Sequence, residues 1–223
     1  DKAYELEHKL EKKGKSELLS LIRDVLPRHV RAVFVTQAEA LGLGHAVLCA
    51  EPVIGNEPFA VLLPDDLIWN KGPGALKQMA DLAQAEDASV IAVQDVPREQ
   101  TGSYGIVATR DFSGRFGEIE ALVEKPHPED APSTLAVVGR YVLDGSIFEL
   151  LRKTGPGAGG EIQLTDAIAA LMADKRALAY RFQGRRFDCG SRIGLVEATI
   201  EFALDHEDLA EPAREYMRAA LAR

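Results

Sequence analysis

The chain has 223 residues, 46% of them hydrophobic and 27% charged, and these proportions suit one globular domain with a substantial core. With 26 Lys and Arg residues against 35 Asp and Glu residues, the net charge is −9. An acidic surface disfavours nucleic acid as a partner, and a phosphorylated ligand would need local cations, helix N-termini or a metal ion. The sequence predicts neither a membrane span nor a signal peptide. Because Cys49 and Cys189 are the only cysteines, we expect no disulfide framework and a cytoplasmic location.

The first half of the chain alternates between helical and strand-like patterns. Leu18, Leu21, Ile22 and Val25 follow the spacing of one helix face, and Pro27 ends the run. The strand-like runs are short and continuously apolar, which is typical of strands buried on both faces in a parallel sheet. In chain order the pattern predicts a strand at 32–36, a helix at 45–50, a strand at 59–63, a helix at 74–85 and a strand at 89–93. This alternation indicates a layered α/β fold.

The middle of the chain changes to strand-like runs separated by turns, which predicts a mixed or antiparallel subregion within the α/β core. Helices then return, and the tail is helical with polar breaks. The predictions are strands at 104–109, 118–123, 135–143 and 178–183, helices at 145–152 and 161–172, and a helical tail at 194–223 broken near 205–208 and at Pro212. No repeat or interdomain linker is present, so we predict one domain over 1–223.

Two acidic residues follow the apolar run at 59–63. The order Leu63-Pro64-Asp65-Asp66 puts carboxylates just after a strand, at the sheet edge where open α/β folds bind ligands. Carboxylate oxygens suit Mg²⁺, which usually takes one or two of them together with substrate phosphates. The same acids also fit an ordinary solvated turn, so the pattern alone leaves both interpretations open.

Two glycines come just before the predicted helix at 45–50. Gly42 and Gly44 would let a nucleotide or base approach the backbone closely. Gln37 precedes them, and its amide offers a donor and an acceptor that match the edge of a uracil or thymine ring. No phosphate-loop or dinucleotide fingerprint accompanies these residues, so a purely structural turn is the alternative.

Glu124-Lys125-Pro126 closes the strand-like run at 118–123. A carboxylate can accept hydrogen bonds from sugar hydroxyls, and an ammonium group can neutralise a phosphate. Adjacent strand residues point to opposite faces, so Glu124 and Lys125 can serve one ligand only if the chain bends. Pro126 favours such a strand end, although an exposed ion pair fits the same pattern.

Further candidates are glycines inside strand-like runs and one late acid. Gly105 and Gly139 indicate a bulge or the close approach of a ligand to the backbone. Asp188 stands shortly before Gly190 at another strand end. The five His residues lack metal-ligand spacing and no Gly-x-Ser-x-Gly string is present, so the sequence does not support nucleophilic triad chemistry.

Taken in order, these motifs resemble the bacterial UTP–glucose-1-phosphate uridylyltransferase family. The ordered set is Gln37, Gly-Leu-Gly-His-Ala-Val, Leu-Pro-Asp, Tyr-Gly, Val-Glu-Lys-Pro, Val-Gly-Arg-Tyr, Gly-Glu-Ile-Gln-Leu-Thr-Asp-Ala-Ile and Asp-Cys-Gly. The resemblance runs through nearly the whole chain. It implies an α/β fold with a Rossmann-like mixed sheet flanked by helices, of the nucleotide-diphospho-sugar transferase type, with a small β subregion and a helical C-terminal tail.

The resemblance also implies a role for each candidate residue. Asp65 would bind Mg²⁺, and Asp188 would be a second ligand or lie just outside the coordination sphere. Lys125 would bind the sugar phosphate and, with Asp65, would carry the catalysis. The uracil would contact Gln37 and Gly42, and the sugar pocket would contain Gly105, Glu124, Val138 and Gly139.

The reaction implied by the resemblance joins UTP and α-D-glucose 1-phosphate into UDP-glucose and pyrophosphate, by Mg²⁺-assisted in-line attack on the α-phosphorus. The attacking phosphate is already ionised, so the protein must mainly align two polyanions and offset their repulsion. A homo-oligomer is implied as well. The alternatives are a dTTP- or GTP-using sugar-1-phosphate nucleotidylyltransferase and a non-catalytic sugar-phosphate-binding relative.

The sequence departs from the family at its start. Family members begin with a strand and a Gly-x-Gly-Thr-Arg-type loop that wraps the triphosphate, and no such string occurs here. The sequence instead opens in a helical pattern without an initiator Met. We therefore expect a single nucleotidylyltransferase domain over 1–223 that lacks its N-terminal nucleotide-loop segment and is inactive, or nearly so, on its own.

Overall fold

The structure is a computed structural model that describes residues 4–27 and 29–223. The chain divides into two compact units, Asp1–Thr36 and Gln37–Arg223. Among the helices of the described residues, none combines the length and apolar character needed to span a bilayer.

The first unit contains two helices, α1 (Tyr4–Lys12) and α2 (Ser16–Arg23). The helix predicted up to Val25 therefore ends two residues earlier. The strand predicted at 32–36 is wrong, because these residues are described and pair with no other strand. Phe34 is 81% exposed in this run. A run of β-favouring residues forms a strand only beside a hydrogen-bonding neighbour, and none is supplied here.

The second unit is built on a mixed sheet with the strand order β1-β6-β3-β7-β5-β4. A separate two-stranded sheet pairs β2 with β8. The strands are β1 (Phe59–Leu62), β2 (Asp66–Trp69), β3 (Ser89–Asp95), β4 (Gly105–Ser113), β5 (Phe116–Glu124), β6 (Leu135–Leu143), β7 (Ala177–Tyr180) and β8 (Arg185–Asp188).

Most neighbouring strands in this sheet are antiparallel, which differs from the parallel arrangement favoured for the first half of the chain. β3 and β7 are parallel, whereas β6 runs antiparallel to both β1 and β3. β1 is not buried on both faces, since Leu62 is 49% exposed. A short continuous apolar run does not specify strand direction or two-sided burial. The predicted antiparallel subregion is confirmed in the β4–β5 hairpin and in β6.

Helices cover both faces of the sheet. The helices of this unit are α3 (Leu43–Cys49), α4 (Glu51–Ile54), α5 (Ala75–Glu86), α6 (Ile147–Leu151), α7 (Leu164–Leu171), α8 (Arg192–Asp205) and α9 (Ala210–Leu221). Alternate residues of β3 enter different cores, with Ile91 packed in the cluster that contains α6 and α7 and Val90 in the cluster that contains α5. The layered α/β prediction is thereby confirmed.

The helical tail follows the prediction except at Pro212. The break near 205–208 separates α8 from α9, but Pro212 lies inside the first turn of α9. The backbone N–H groups of a first helical turn have no partner within the helix, so a proline is tolerated there. Pro212 therefore belongs to the start of a helix and does not interrupt one.

Candidate active site

One polar cavity of about 350 Å³ collects most of the predicted site residues. It opens where the turn after β1, the middle of β6, the ends of β5 and β8 and the start of α7 meet. The predicted residues that line it are Asp65, Gly105, Glu124, Lys125, Gly139 and Asp188. These positions are far apart in sequence, and the fold of the second unit brings them together.

Asp65 and Asp188 approach the cavity on the same side. Asp65 lies in the turn after β1, and its carbonyl oxygen accepts a 2.7 Å hydrogen bond from the N–H of Cys189. A Cβ placed on Gly190 would lie 3.1 Å from Oδ1 of Asp188 and 3.4 Å from Oδ2 of Asp65. Both carboxylates therefore border the same small space.

This pair of carboxylates fits Mg²⁺. Hard oxygen donors suit that ion, and its sites commonly use one or two carboxylates completed by water and substrate phosphate. Within 4–27 and 29–223 no group of three or more His, Cys, Asp or Glu residues could hold a metal by itself. Asp65 and Asp188 could thus hold Mg²⁺ only in partnership with a ligand or water.

Asp66, the second acid after β1, is buried, and its carboxylate hydrogen-bonds to two of the strands that border the cavity. Its Oδ2 accepts a 2.6 Å hydrogen bond from the N–H of Gly139, and its Oδ1 accepts one from Nε of Arg186. The side chains of Arg186 and Asp66 are only 9% and 7% exposed. One carboxylate therefore joins β2 to both β6 and β8.

Two guanidinium groups surround this carboxylate. Nη1 of Arg140 donates to the carbonyl oxygens of Leu63 and Gly139, at 2.8 and 2.7 Å. Burial lowers the pKa of Arg140, although Asp66 and Asp65 oppose that shift. Burial also acts to lower the pKa of Arg186, but the interactions of its guanidinium with Asp66 and Tyr104 outweigh it and raise the pKa above its ordinary value. Both arginines therefore stay charged beside the cavity.

The bend required at Glu124 and Lys125 is present in the backbone. Lys125 has a φ of 46°, in the left-handed region that non-glycine residues seldom adopt, and its N–H donates to the carbonyl of Tyr104 at 3.0 Å. Its Nζ lies 3.7 Å from Oε1 of Glu124, and Oε2 of Glu124 accepts a 2.9 Å hydrogen bond from Oγ1 of Thr165. The turn at Lys125 brings both adjacent side chains to one cavity.

Gly105 and Gly139 are required by close packing. A Cβ on Gly105 would lie 3.0 Å from Cγ2 of Thr165 and 3.1 Å from Oε2 of Glu124. On Gly139 it would lie 2.6 Å from Oδ2 of Asp66, nearer than real Cβ atoms come to other atoms. Neighbouring side chains therefore already occupy the space in front of both backbones, and a side chain at either position would force them to move.

Val138 and the predicted uracil residues lie outside this cavity lining. The side chain of Val138 is buried with Met79 on the opposite face of the sheet, while Val137 lines the cavity. Alternation along β6 explains this placement, and Val138 could contribute to the cavity only through its backbone.

Gln37 and Gly42 form a separate cluster beside the cavity. Nε2 of Gln37 lies 3.1 Å from the carbonyl oxygen of Gly42 and 3.0 Å from Nδ1 of His45. The N–H of Gly44 donates to the carbonyl of Ile162 at 2.9 Å. This contact joins the glycine turn to the segment that leads into α7, where Leu164 lines the cavity.

Sequence reasoning assigned no role to Thr165, Arg186 or Tyr141, all of which line the cavity. Burial, with the carboxylates of Glu124 and Asp66 nearby, raises the pKa of Tyr141, so that hydroxyl stays neutral. Thr165 lies within the Glu-Ile-Gln-Leu-Thr-Asp string and Arg186 shortly precedes Asp188. Their closeness in sequence to a recognised motif was the only sign of a role for Thr165 and Arg186. The residues that they contact, Glu124 and Asp66, become evident only from the structure.

A larger cavity of about 790 Å³ lies between β1, α5 and the start of β3 and contains none of the predicted residues. The two basic side chains that line it are already paired, with Nζ of Lys175 2.7 Å from Oδ2 of Asp144 and Nη1 of Arg176 3.5 Å from Oε2 of Glu86. The 350 Å³ cavity has the carboxylate pair and Lys125 facing one space, so it is the better candidate for a phosphorylated ligand.

Comparison with known proteins is consistent with this geometry. The family model described as nucleotidyl transferase matches residues 3–203. The chain belongs to the nucleotidyl transferase family. It is 46% identical over 200 residues to a UTP–glucose-1-phosphate uridylyltransferase of Pseudomonas aeruginosa, a match that covers 89% of this chain and 71% of the relative. It is 43% identical to the protein of that name from Bacillus subtilis, covering 99% of this chain and 75% of the relative.

A solved structure of a nucleotidyl transferase family member agrees with the fold. The UTP-bound UGPase from Acinetobacter baumannii superposes with a TM-score of 0.88 at 41% sequence identity. The superposition covers 97% of this chain and 75% of that one. The mixed sheet flanked by helices is therefore the fold of these family members.

Replacing Asp66 by Asn should destabilise the chain strongly. The Asn side chain can still accept a hydrogen bond from Gly139, but Arg186 loses its charged partner while buried. Breaking one side of a buried pair costs about 3–5 kcal/mol. The measurement is the free energy of unfolding from urea denaturation.

The matched control is Asp95→Asn, because Asp95 pairs with Arg181 in an exposed ion pair at 2.8 Å. We expect that change to cost less than about 1 kcal/mol. Equal losses in the two variants would contradict a special role for the buried pair.

Proposed function

We propose that the chain acts as a nucleotidyltransferase that forms UDP-glucose and pyrophosphate from UTP and α-D-glucose 1-phosphate. The observation that carries the proposal is the 350 Å³ cavity, in which the carboxylates of Asp65 and Asp188 share a space with Glu124 and Lys125. Relatives named for this reaction share 43–46% of their residues with the chain over most of its length. Chemistry of the cavity and similarity of sequence thus favour the same reaction.

The sugar is proposed to bind against Gly105, Gly139 and Glu124. Both glycines line the cavity, and the Glu124 carboxylate can accept hydrogen bonds from the hydroxyl groups of a sugar ring. Lys125 is half exposed, next to Glu124, and can pair with the phosphate of glucose 1-phosphate. Val138 would take part only through its backbone.

Asp65 and Asp188 are proposed to hold Mg²⁺, with Asp65 as the main ligand. When bound there, Mg²⁺ would neutralise phosphate charge and help to orient the two substrates. The chain has a net charge of −9, so its binding of two polyanions depends on such local positive charge. Lys125 supplies positive charge from the protein itself, and its Nζ is not held in a hydrogen bond with Glu124.

The chemical step needs alignment more than proton transfer. An oxygen of the sugar phosphate forms a bond to the α-phosphorus of UTP, and the bond from that phosphorus to the pyrophosphate oxygen breaks. The attacking oxygen is already ionised at neutral pH, so no base is required. Tyr141, whose pKa is raised by burial, is not required as a proton acceptor. The role of Lys125 and Glu124 is to hold the sugar phosphate in line.

The uracil of UTP is proposed to contact Gln37 and Gly42. Nε2 of Gln37 is directed to Gly42 and His45, which leaves its amide oxygen to accept a hydrogen bond from the uracil N–H. The sequence contains no glycine-rich string of the type that wraps a triphosphate. We therefore propose that the chain alone turns over UTP slowly or not at all. We also propose that residues 1–223 belong to a single nucleotidylyltransferase domain. Cytoplasmic location and homo-oligomerisation stay predictions.

The reaction can be tested by following pyrophosphate release from UTP and glucose 1-phosphate with Mg²⁺. Two proteins are compared, the 223-residue chain and the same chain preceded by the N-terminal segment of the Bacillus subtilis relative. We expect turnover in the extended protein, with UTP preferred over dTTP and GTP, and little in the shorter one. No turnover in either protein, or a preference for dTTP or GTP, would contradict the proposed function.

The role of Lys125 can be tested in the extended protein by Lys125→Asn. Asn tolerates the left-handed backbone, so the fold should persist while the charge is removed. Loss of a charge that stabilises the reacting phosphates should lower kcat/KM about 100-fold or more. Lys77→Asn, on the exposed side chain that pairs with Asp81, is the control and should change kcat/KM by less than about twofold. Equal activity of the two variants would remove Lys125 from the mechanism.

A further inference from the structure

Thr165 is the side chain that links the two sides of the proposed sugar pocket. It is the second residue of α7 and is only 6% exposed. Its Oγ1 donates to Oε2 of Glu124 at 2.9 Å, while its Cγ2 stands in front of Gly105. One threonine thus contacts Glu124 with its hydroxyl and packs against Gly105 with its methyl group.

The contact with Thr165 restricts a carboxylate that is otherwise weakly held. Glu124 is the last residue of β5, where the strand gives way to the left-handed turn at Lys125. In the described part of the chain, the hydrogen bond from Thr165 is the only one that the Glu124 side chain makes. Nζ of Lys125 lies 3.7 Å from Oε1, beyond hydrogen-bond distance. Without the threonine hydroxyl, the carboxylate could turn about its side-chain bonds.

We propose that Thr165 is a positioning residue of the sugar site. Its hydroxyl occupies Oε2 of Glu124, and this leaves Oε1, on the side of Lys125, to accept hydrogen bonds from a sugar hydroxyl. The inference rests on the proposed function, because it assigns Thr165 to the pocket in which Glu124 binds glucose. Thr165 itself touches no substrate in this account and acts through Glu124.

This role predicts an effect on binding of the sugar but not on binding of the nucleotide. Gln37 and Gly42, the proposed uracil contacts, lie in another cluster and make no hydrogen bond to Thr165. Loss of the hydroxyl should therefore weaken binding of UDP-glucose and leave binding of UDP unchanged. A general loosening of the fold would weaken both ligands together.

The experiment measures dissociation constants of UDP-glucose and of UDP by titration calorimetry with Mg²⁺ on the 223-residue chain. Thr165→Val removes the hydroxyl and keeps the branched shape, whereas Thr165→Ser keeps the hydroxyl and removes the methyl group. Thr165→Ala, compared with Thr165→Ser, gives a second pair that differs only in the hydroxyl, should Val prevent folding. Thr154→Val is the matched control, because Oγ1 of Thr154 donates to the carbonyl of Leu150 near the end of α6.

We expect Thr165→Val and Thr165→Ala to raise the dissociation constant for UDP-glucose about tenfold, as for loss of a hydrogen bond to a charged group. Thr165→Ser and Thr154→Val should stay within about twofold of the unaltered chain, and UDP affinity should not change in any variant. Equal weakening by Ser and Val, or equal weakening of UDP and UDP-glucose, would overturn the inference and leave the proposed function intact. Failure of the unaltered chain to bind UDP-glucose would overturn the inference, whereas the proposed function is tested separately by turnover in the extended protein.

Discussion

The site depends on a buried ion pair. Asp66 and Arg186 are 120 positions apart in sequence, and their contact ties the two-stranded sheet to β6 through the N–H of Gly139. Because Asp65 adjoins Asp66 and Asp188 closely follows Arg186, this pair also sets where the two metal-binding candidates lie. A buried pair of charges is a costly way to gain stability. Its value here is geometric, since it holds three strands in one arrangement around a cavity.

The second constraint is the backbone at the end of β5. A left-handed residue other than glycine costs about 1–2 kcal/mol and is usually retained for a functional reason. At Lys125 it turns two successive side chains toward one cavity, which an extended strand would not do. Gly105 faces Glu124 across the β4–β5 ladder, and Thr165 closes the group from α7. The bend and the close packing at the glycine together bring these polar groups to one cavity.

Much of the architecture follows from local patterns, whereas the details of the site follow from distant contacts. The β3 segment and the strand at 135–143 were predictable because long apolar or β-branched runs allow few alternatives. The run at 32–36 has the same composition but gains no strand partner, so composition alone failed there. Alternation along β6 predicts that Val138 and Gly139 face opposite ways, but which of them faces the cavity depends on helix packing. The Thr165–Glu124 contact spans 41 positions and left no local signature.

The central claim is that a UDP-sugar binds in the 350 Å³ cavity and not in the 790 Å³ cavity beside α5. The direct measurement is a titration of the isotopically labelled chain with UDP-glucose, followed by amide chemical shifts in NMR spectra. The account predicts that the largest shift changes fall on Gly105, Lys125 and Gly139, while Ser89 and Asp144 at the larger cavity stay unchanged. Changes centred on Ser89 and Asp144, or no changes at all, would contradict it.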